Sequence, residues 1–324
     1  MEIANSMLKE LTNKILNENY HIIKQEAQLL ITADLKELSL SAEKIKQKFC
    51  GNKFDMCSII SGKSGKCSEN CKFCAQSSHY RTSIKEYPLL DSQNIFKEAK
   101  HNSDKKVKRF SIVTSGKKLT DEEIASVCQT YKNIKNKCNI LLCASMGLLS
   151  YEQLVKLKQS GVTRYHCNLE TSRNFFPKVC STHTYDDKIN TINLAKKAGL
   201  EICSGGIFGM GETFEDRIDM FFDIYNLGIK SVPINILNPI KGTPFENNKI
   251  LSQEEVNRTV AIARFILPDA FIRLAGGRLL FKDKGVSMFS SGANATITGD
   301  MLTTSGTSID EDFGTINNLG LKIC

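Results

Sequence analysis

The pattern of hydrophobic and polar positions changes once along the chain, near residue 50. Before it, Leu8, Leu11 and Ile15, then Ile22 and Ile23, then Leu35, Leu38 and Ile45 recur at helical spacing. That spacing predicts a helical extension over 1–50. After it, short apolar runs alternate with longer amphipathic stretches. The runs predict strands at Phe54–Ile60, Arg109–Thr114, Asn139–Ser145, Val162–Asn168, Leu200–Ile207, Ser231–Leu237, Ala270–Ala275 and Ala293–Thr298. Helical patterns such as Asp121–Lys135, Tyr151–Gln159, Tyr185–Ala198, Thr213–Leu227 and Gln253–Ile266 lie between them. Thr120, Ser150 and Ser252 are N-cap signals, each followed by acidic or amide residues. Gly161, Gly199 and Gly228 stand where helices end and strands begin. Strands alternating with helices in this number predict an α/β protein, a (β/α)8 barrel of TIM type over 51–303, rather than an open doubly wound sheet. The polar stretch 304–324 reads as a C-terminal tail.

In such a barrel, chemistry sits at the C-terminal ends of the strands, and side chains alternate between lumen and helices. The first strand end carries the densest group of reactive side chains. Cys67, Cys71 and Cys74 form a C-x3-C-x2-C triplet, with Phe73 just before the last cysteine. Three thiolates so close can hold one metal centre. A [4Fe-4S] cluster on three cysteines leaves one iron open to a substrate or cofactor. Zinc with His79 as fourth ligand, or unrelated thiols, are the alternatives. Gly205–Glu212 follows the fifth strand as G-x-I-x-G-x-x-E, where glycines admit a close ligand and Ile207 offers an apolar face. No dinucleotide-binding GxGxxG occurs at a first strand–helix turn. Cys203 shares parity with Gly205 and Ile207, so it should point into the lumen. Cys143 on the third strand and Arg273 on the seventh can share that lumen, as a second metal site or as ordinary core residues.

Composition narrows the setting. Hydrophobic residues are 41% and charged residues 24%, ordinary for a globular protein. The net charge of +8 is dispersed, which suits acidic partners, and no aromatic–basic array suggests nucleic acid. No apolar run reaches membrane-spanning length and the N-terminus lacks a signal core, so a cytoplasmic protein without membrane contact is expected. Twelve cysteines in that setting argue for reduced thiols and metal.

The triplet, its aromatic Phe73 and the glycine run resemble the radical S-adenosylmethionine (SAM) superfamily. Within it the chain resembles the biotin synthases over nearly its whole length. The resemblance is carried by CAQSS after the triplet, RFS at 109–111, CASMG at 143–147, NLETS at 168–172, CSGGI at 203–207, SVPIN at 231–235, RLAGGR at 273–278 and GAN at 292–294. It implies a [4Fe-4S] cluster on Cys67, Cys71 and Cys74 whose open iron binds SAM. Reductive cleavage of SAM then gives methionine and a 5'-deoxyadenosyl radical. That radical takes hydrogen from dethiobiotin, and an auxiliary iron–sulfur cluster deep in the barrel donates sulfur. Such an enzyme is a sulfurtransferase, and the resemblance further implies a homodimer and an electron donor such as flavodoxin or ferredoxin.

The family's auxiliary ligands carry over to Cys143, Cys203 and Arg273. The fourth does not: Ser111 stands where the pattern has cysteine, and serine is a harder, poorer ligand. Cys57 is the expected replacement, with Cys50 behind it. Parity opposes Cys57, because Ser58 matches the family's inward serine. The donor, [2Fe-2S] in the family, is then open to being a [4Fe-4S]-type cluster. By the same resemblance, Phe73, Asn168, Glu170, Gly205 and Ile207 bind SAM, and Glu170 stands where the family has aspartate. Asn168 and Asn235 contact the substrate, with a strand-end polar cap the plainer role for Asn235. Arg109 supports Arg273 or its neighbours. Cys167 reads as structural, and Cys128, Cys138, Cys180 and Cys324 receive no role. The rival activities are another barrel enzyme of the superfamily, such as a hydrogenase maturase or a methylornithine synthase, and an iron–sulfur carrier.

Overall fold

The computed structural model describes residues 2–324, with side chains from residue 5 onward. Its strands are β1 Lys53–Lys63, β2 Arg109–Thr114, β3 Leu141–Ser145, β4 Val162–His166, β5 Glu201–Cys203, β6 Gly206–Phe208, β7 Ser231–Ile236, β8 Phe271–Leu274, β9 Ala295–Thr298 and β10 Lys322–Ile323. All pair in parallel, and β9 returns to β1 through Asp55↔Ala295 and Cys57↔Ile297, which closes the barrel. β5 and β6 are two halves of one barrel stave, interrupted at Ser204 and Gly205 and both paired with β7. The barrel is therefore the expected eight-stave TIM-type fold.

The helices start where the sequence says they should. Thr120, Ser150 and Ser252 each accept a hydrogen bond from the backbone N–H three residues on, at 3.2, 3.4 and 3.1 Å. Gly161 leaves its helix at φ +105°, a conformation costly for a residue with a Cβ. Outward-facing Phe54, Met56, Phe110 and Ile112 are fully buried against the helical ring.

The helices Glu2–Glu18, Lys24–Leu29 and Leu35–Cys50 precede the barrel. Leu8, Leu11, Ile15, Leu38 and Ile45 are buried, whereas Ile23 is 53% exposed and does not belong to the apolar stripe. Helix Leu35–Cys50 lies against helix Gln253–Ile266 on the outside of the barrel and leads directly into β1. There Lys46 Nζ donates to the Phe289 carbonyl at 3.2 Å. The segment after Thr303 contains a further helix, Ile309–Asn318, before β10 pairs with the start of β1. Arg278 holds that helix through Asp312 at 2.8 Å.

Candidate active site

The lumen places charge and sulfur among branched apolar side chains such as Ile59, Val113 and Ile297, where such barrels usually have apolar layers alone. At its floor, Asp55 Oδ2 lies 3.2 Å from Arg109 Nε, Arg164 Nη1 and Arg273 Nη2. Glu201 takes Arg164 Nη2 at 3.0 Å and Arg109 Nη2 at 3.7 Å. Burial works against the Asp55 carboxylate, but the charges of Arg273, Arg164 and Arg109 prevail and bring it down to about 2. Three guanidinium groups against two carboxylates leave an excess of positive charge. Arg273 Nη2 approaches Asp55 off the hydrogen-bond direction, and Arg109 Nη1 is buried without a hydrogen-bond partner. A buried cationic floor with unspent donors suits an anionic group bound by thiolates.

Above this floor, Cys57, Cys143, Cys203 and Ser111 line a cavity of about 340 Å³. Strand register sets Ser111 directly beside Cys143, and His166 beside Cys203. Burial raises the Cys57 thiol to about 12 and raises Cys143 as well. Cys203 is buried too, but its hydrogen bond with His166 and the charges of His166, Arg273 and Arg164 bring it down to about 6. The expectation that Ser58 points inward and Cys57 outward is reversed. Asp55 must reach the three arginines, so Cys57 and Ile59, at the same parity, also face the lumen. Ser58 instead turns its hydroxyl to the Arg109 carbonyl at 3.3 Å. Cys50 is not in the lumen. It closes a helix below the barrel, 3.4 Å from Arg264 Nη1 and against the carbonyls of Pro268 and Ala270.

The mouth is built from loops. The segment after β1 is pinned at its neck by reciprocal Ser64–Tyr87 backbone bonds of 3.1 Å. Within it, Cys67 N–H donates to the Gln76 carbonyl at 3.0 Å, and Cys74 N–H to the Cys71 carbonyl at 2.9 Å. The loop docks on the segment after β4 through Asn70, whose Oδ1 accepts from Ser181 N–H at 2.9 Å, and through Lys72 N–H to the Val179 carbonyl at 3.0 Å. The thiols of Cys67, Cys71 and Cys74 do not converge on a single point with His79, whose Nε2 pairs with the Ser68 carbonyl at 3.0 Å. A mononuclear zinc site on this triplet is therefore not built, whereas a cube spreads its ligands over separate irons.

Cys180, to which the sequence gives no role, sits 3.7 Å from Cys71 Sγ. A hydrogen bond from Cys71, helped by His183 and Thr182, holds Cys180 down to about 3, and the same bond drives Cys71 upward. No spacing in the sequence links two residues that meet only by loop docking.

Phe73 and Ile207 pack with Phe175, Val179, Met210 and Leu237 into a small apolar cluster at the rim. Asn168 Oδ1 accepts from Gly205 N–H at 3.0 Å, and its amide donates to Glu170 Oε2 at 3.2 Å. Half-buried Lys188, absent from the sequence reading, stands 3.8 Å from Glu170. Asn235 spends its amide on the Gly206 carbonyl (3.1 Å) and on Gly276 N–H (3.0 Å), which matches the strand-end role. The glycines have a reason other than ligand approach. A Cβ on Gly205 would lie 1.9 Å from the Pro233 carbonyl oxygen, and one on Gly206 2.6 Å from that of Glu170. Glu212 closes the turn by accepting from Gly209 and Met210 N–H, and pairs with Arg217 at 2.8 Å.

Barrel closure, the cysteine loop and the rim place the chain in the class of radical SAM barrels, and the superfamily's model matches residues 63–224. A Biotin and Thiamin Synthesis associated domain matches residues 233–322. The chain is 57% identical over 310 residues to a biotin synthase of Clostridium botulinum, covering 96% of this chain and 97% of the relative. It is 56% identical over 316 residues to one of Brachyspira hyodysenteriae, covering 98% and 95%. The chain belongs to the biotin synthase family and is a radical SAM enzyme. Family membership implies a [4Fe-4S] cluster, SAM and dethiobiotin. Among solved structures, a methylornithine synthase superimposes with a TM-score of 0.84 at 19% identity, covering 97% of each chain. A maturase of the [FeFe]-hydrogenase gives 0.82 at 19% identity, covering 98% of this chain and 74% of that one. These two share the fold and do not carry their activities to this chain. No helix among the described residues is long and apolar enough to cross a membrane.

Proposed function

We propose that the chain inserts sulfur into dethiobiotin, with the two halves of one cavity dividing the work. Cys67, Cys71 and Cys74 hold the [4Fe-4S] cluster at the mouth. Phe73, Ile207 and Gly205 border the SAM nucleoside, and Asn168 and Glu170 hydrogen-bond it. Cys57, Cys143 and Cys203, with Arg273, hold the auxiliary cluster at the floor. Ser111 is the weaker alternative to Cys57. SAM and the first cluster, when bound, supply the 5'-deoxyadenosyl radical.

The protein's own part is placement. Asp55 fixes the guanidinium of Arg273, and Arg109 and Arg164 fix Asp55. The strands enclose the space in which the reacting groups meet. Asn235 retains one amide hydrogen for the substrate. A flavodoxin or ferredoxin is the expected reductant, attracted by the net charge of +8. A cytoplasmic homodimer completes the reading.

The observation that carries it is the meeting of three thiols from three strands with Arg273 on the floor of the same cavity that Cys74 and Phe73 border. The test is anaerobic turnover with SAM, dethiobiotin and a reductant. The wild-type chain should form biotin. C143A and C203A should still release 5'-deoxyadenosine but form no biotin. Biotin at wild-type yield from either variant would remove the floor site from the mechanism. Full auxiliary iron in C57A would remove Cys57 from its ligands.

A further inference from the structure

At the cluster loop, Cys71 also meets two donors that the reaction does not use, Cys180 and His183. Cys71 Sγ and Cys180 Sγ are 3.7 Å apart, and Cys180 Sγ is 3.3 Å from His183 Nδ1. All three ligand atoms lie within 4.8 Å of one another. Zinc–sulfur bonds of about 2.3 Å and zinc–nitrogen bonds of about 2.0 Å at a tetrahedral angle require S–S near ~3.8 Å and S–N near ~3.5 Å. The Cys71–Cys180 and Cys180–His183 edges match that tetrahedron within a few tenths of an ångström. Glu69 Oε2, 2.5 Å from His183 Nδ1 and 2.9 Å from Thr182 Oγ1, hydrogen-bonds the ring and stands outside this donor group, so the fourth corner is left to water. Cys180, His183 and Glu69 are buried, and His183 Nε2 has no hydrogen-bond partner. An ion at Nδ1 displaces the proton shared with Glu69, and the ring then carries its proton on Nε2.

We propose that the chain without its cluster binds one divalent transition-metal ion, zinc or ferrous iron, between Cys71, Cys180 and His183, with water at the fourth corner. The thiol protons are released and no redox change occurs. Cys71 serves one centre at a time, so an ion held here blocks cluster assembly on Cys67, Cys71 and Cys74. The proposal uses Cys71 but not the sulfur-insertion reading, and either can fail alone.

Cobalt(II) titration of the full iron-free chain tests it. Wild type and C67A/C74A should each bind one cobalt, with thiolate charge-transfer absorption and the intense visible bands of tetrahedral cobalt. C180A and H183A should bind it about 100-fold more weakly or worse. Zinc preloading should slow cluster incorporation in wild type and not in C180A. X-ray absorption on the zinc-loaded wild type needs no variant, and should show two sulfur and two nitrogen or oxygen neighbours. Three sulfur neighbours, unchanged binding in C180A and H183A, or loss of binding in C67A/C74A would each overturn the site by assigning the ion elsewhere.

Discussion

The floor and the mouth of this barrel are held by different forces. The floor is a buried ionic network on rigid strands, where Asp55 is the one carboxylate that all three arginines share. The mouth is loop against loop, held by backbone hydrogen bonds and by Asn70. Removing a partner from the floor strands buried charge, whereas removing one from the mouth exposes groups that water can satisfy. The floor should therefore fail as a unit and the mouth by degrees.

The largest effect is expected from D55N, which leaves Arg273 without a carboxylate and Arg109 and Arg164 with only the largely exposed Glu201. Equilibrium denaturation should show a loss of about 3–5 kcal/mol. A loss under ~1 kcal/mol would mean that the network is not what holds the floor. Acid should act through the same residue. Asp55 is depressed from 3.8 to about 2. Its contribution is then full above pH ~4 and disappears as pH falls toward ~2, about 2 kcal/mol in all. D55N should lack that part of the acid profile.

G205A probes the seam between floor and mouth. Its Cβ would meet the Pro233 carbonyl at 1.9 Å, and the strand must shift. A cost of about 1–3 kcal/mol is expected in the same denaturation assay. N70A should cost the least, about 1 kcal/mol. It should also speed proteolysis within 64–91, while D55N leaves that loop's cleavage rate unchanged at temperatures where the barrel stays folded. Equal protection of the loop in N70A and wild type would show that the docking bonds are not what orders it.

The same contrast explains what could be read in advance. Alternating strands and helices, their caps and the C-x3-C-x2-C triplet are local patterns, and the fold followed from them. The floor depends on parity, and β1 hides its parity because both faces are buried: Phe54 and Met56 toward the helices, Asp55 and Cys57 toward the lumen. Matching Ser58 to an inward serine therefore put Cys57 on the wrong face. Asp55 was the available signal, since a lone acid inside an apolar strand needs cations, and Arg109, Arg164 and Arg273 share its lumen. Gly205 and Gly206 also face a neighbouring backbone, a constraint that no sequence pattern displays. Cys180 and His183 were invisible for a similar reason, because they reach Cys71 only through the docking of distant loops.

The central claim is that one cavity holds two separate centres. Iron and sulfide should be counted after anaerobic reconstitution of the wild type and of the triple variant C67A/C71A/C74A. The variant should keep a distinct cluster, bound by the floor thiols, and its iron count gives the nuclearity of the sulfur donor. A variant that retains no iron or sulfide would contradict it, leaving Cys57, Cys143, Cys203 and Arg273 as core residues of a single-cluster enzyme.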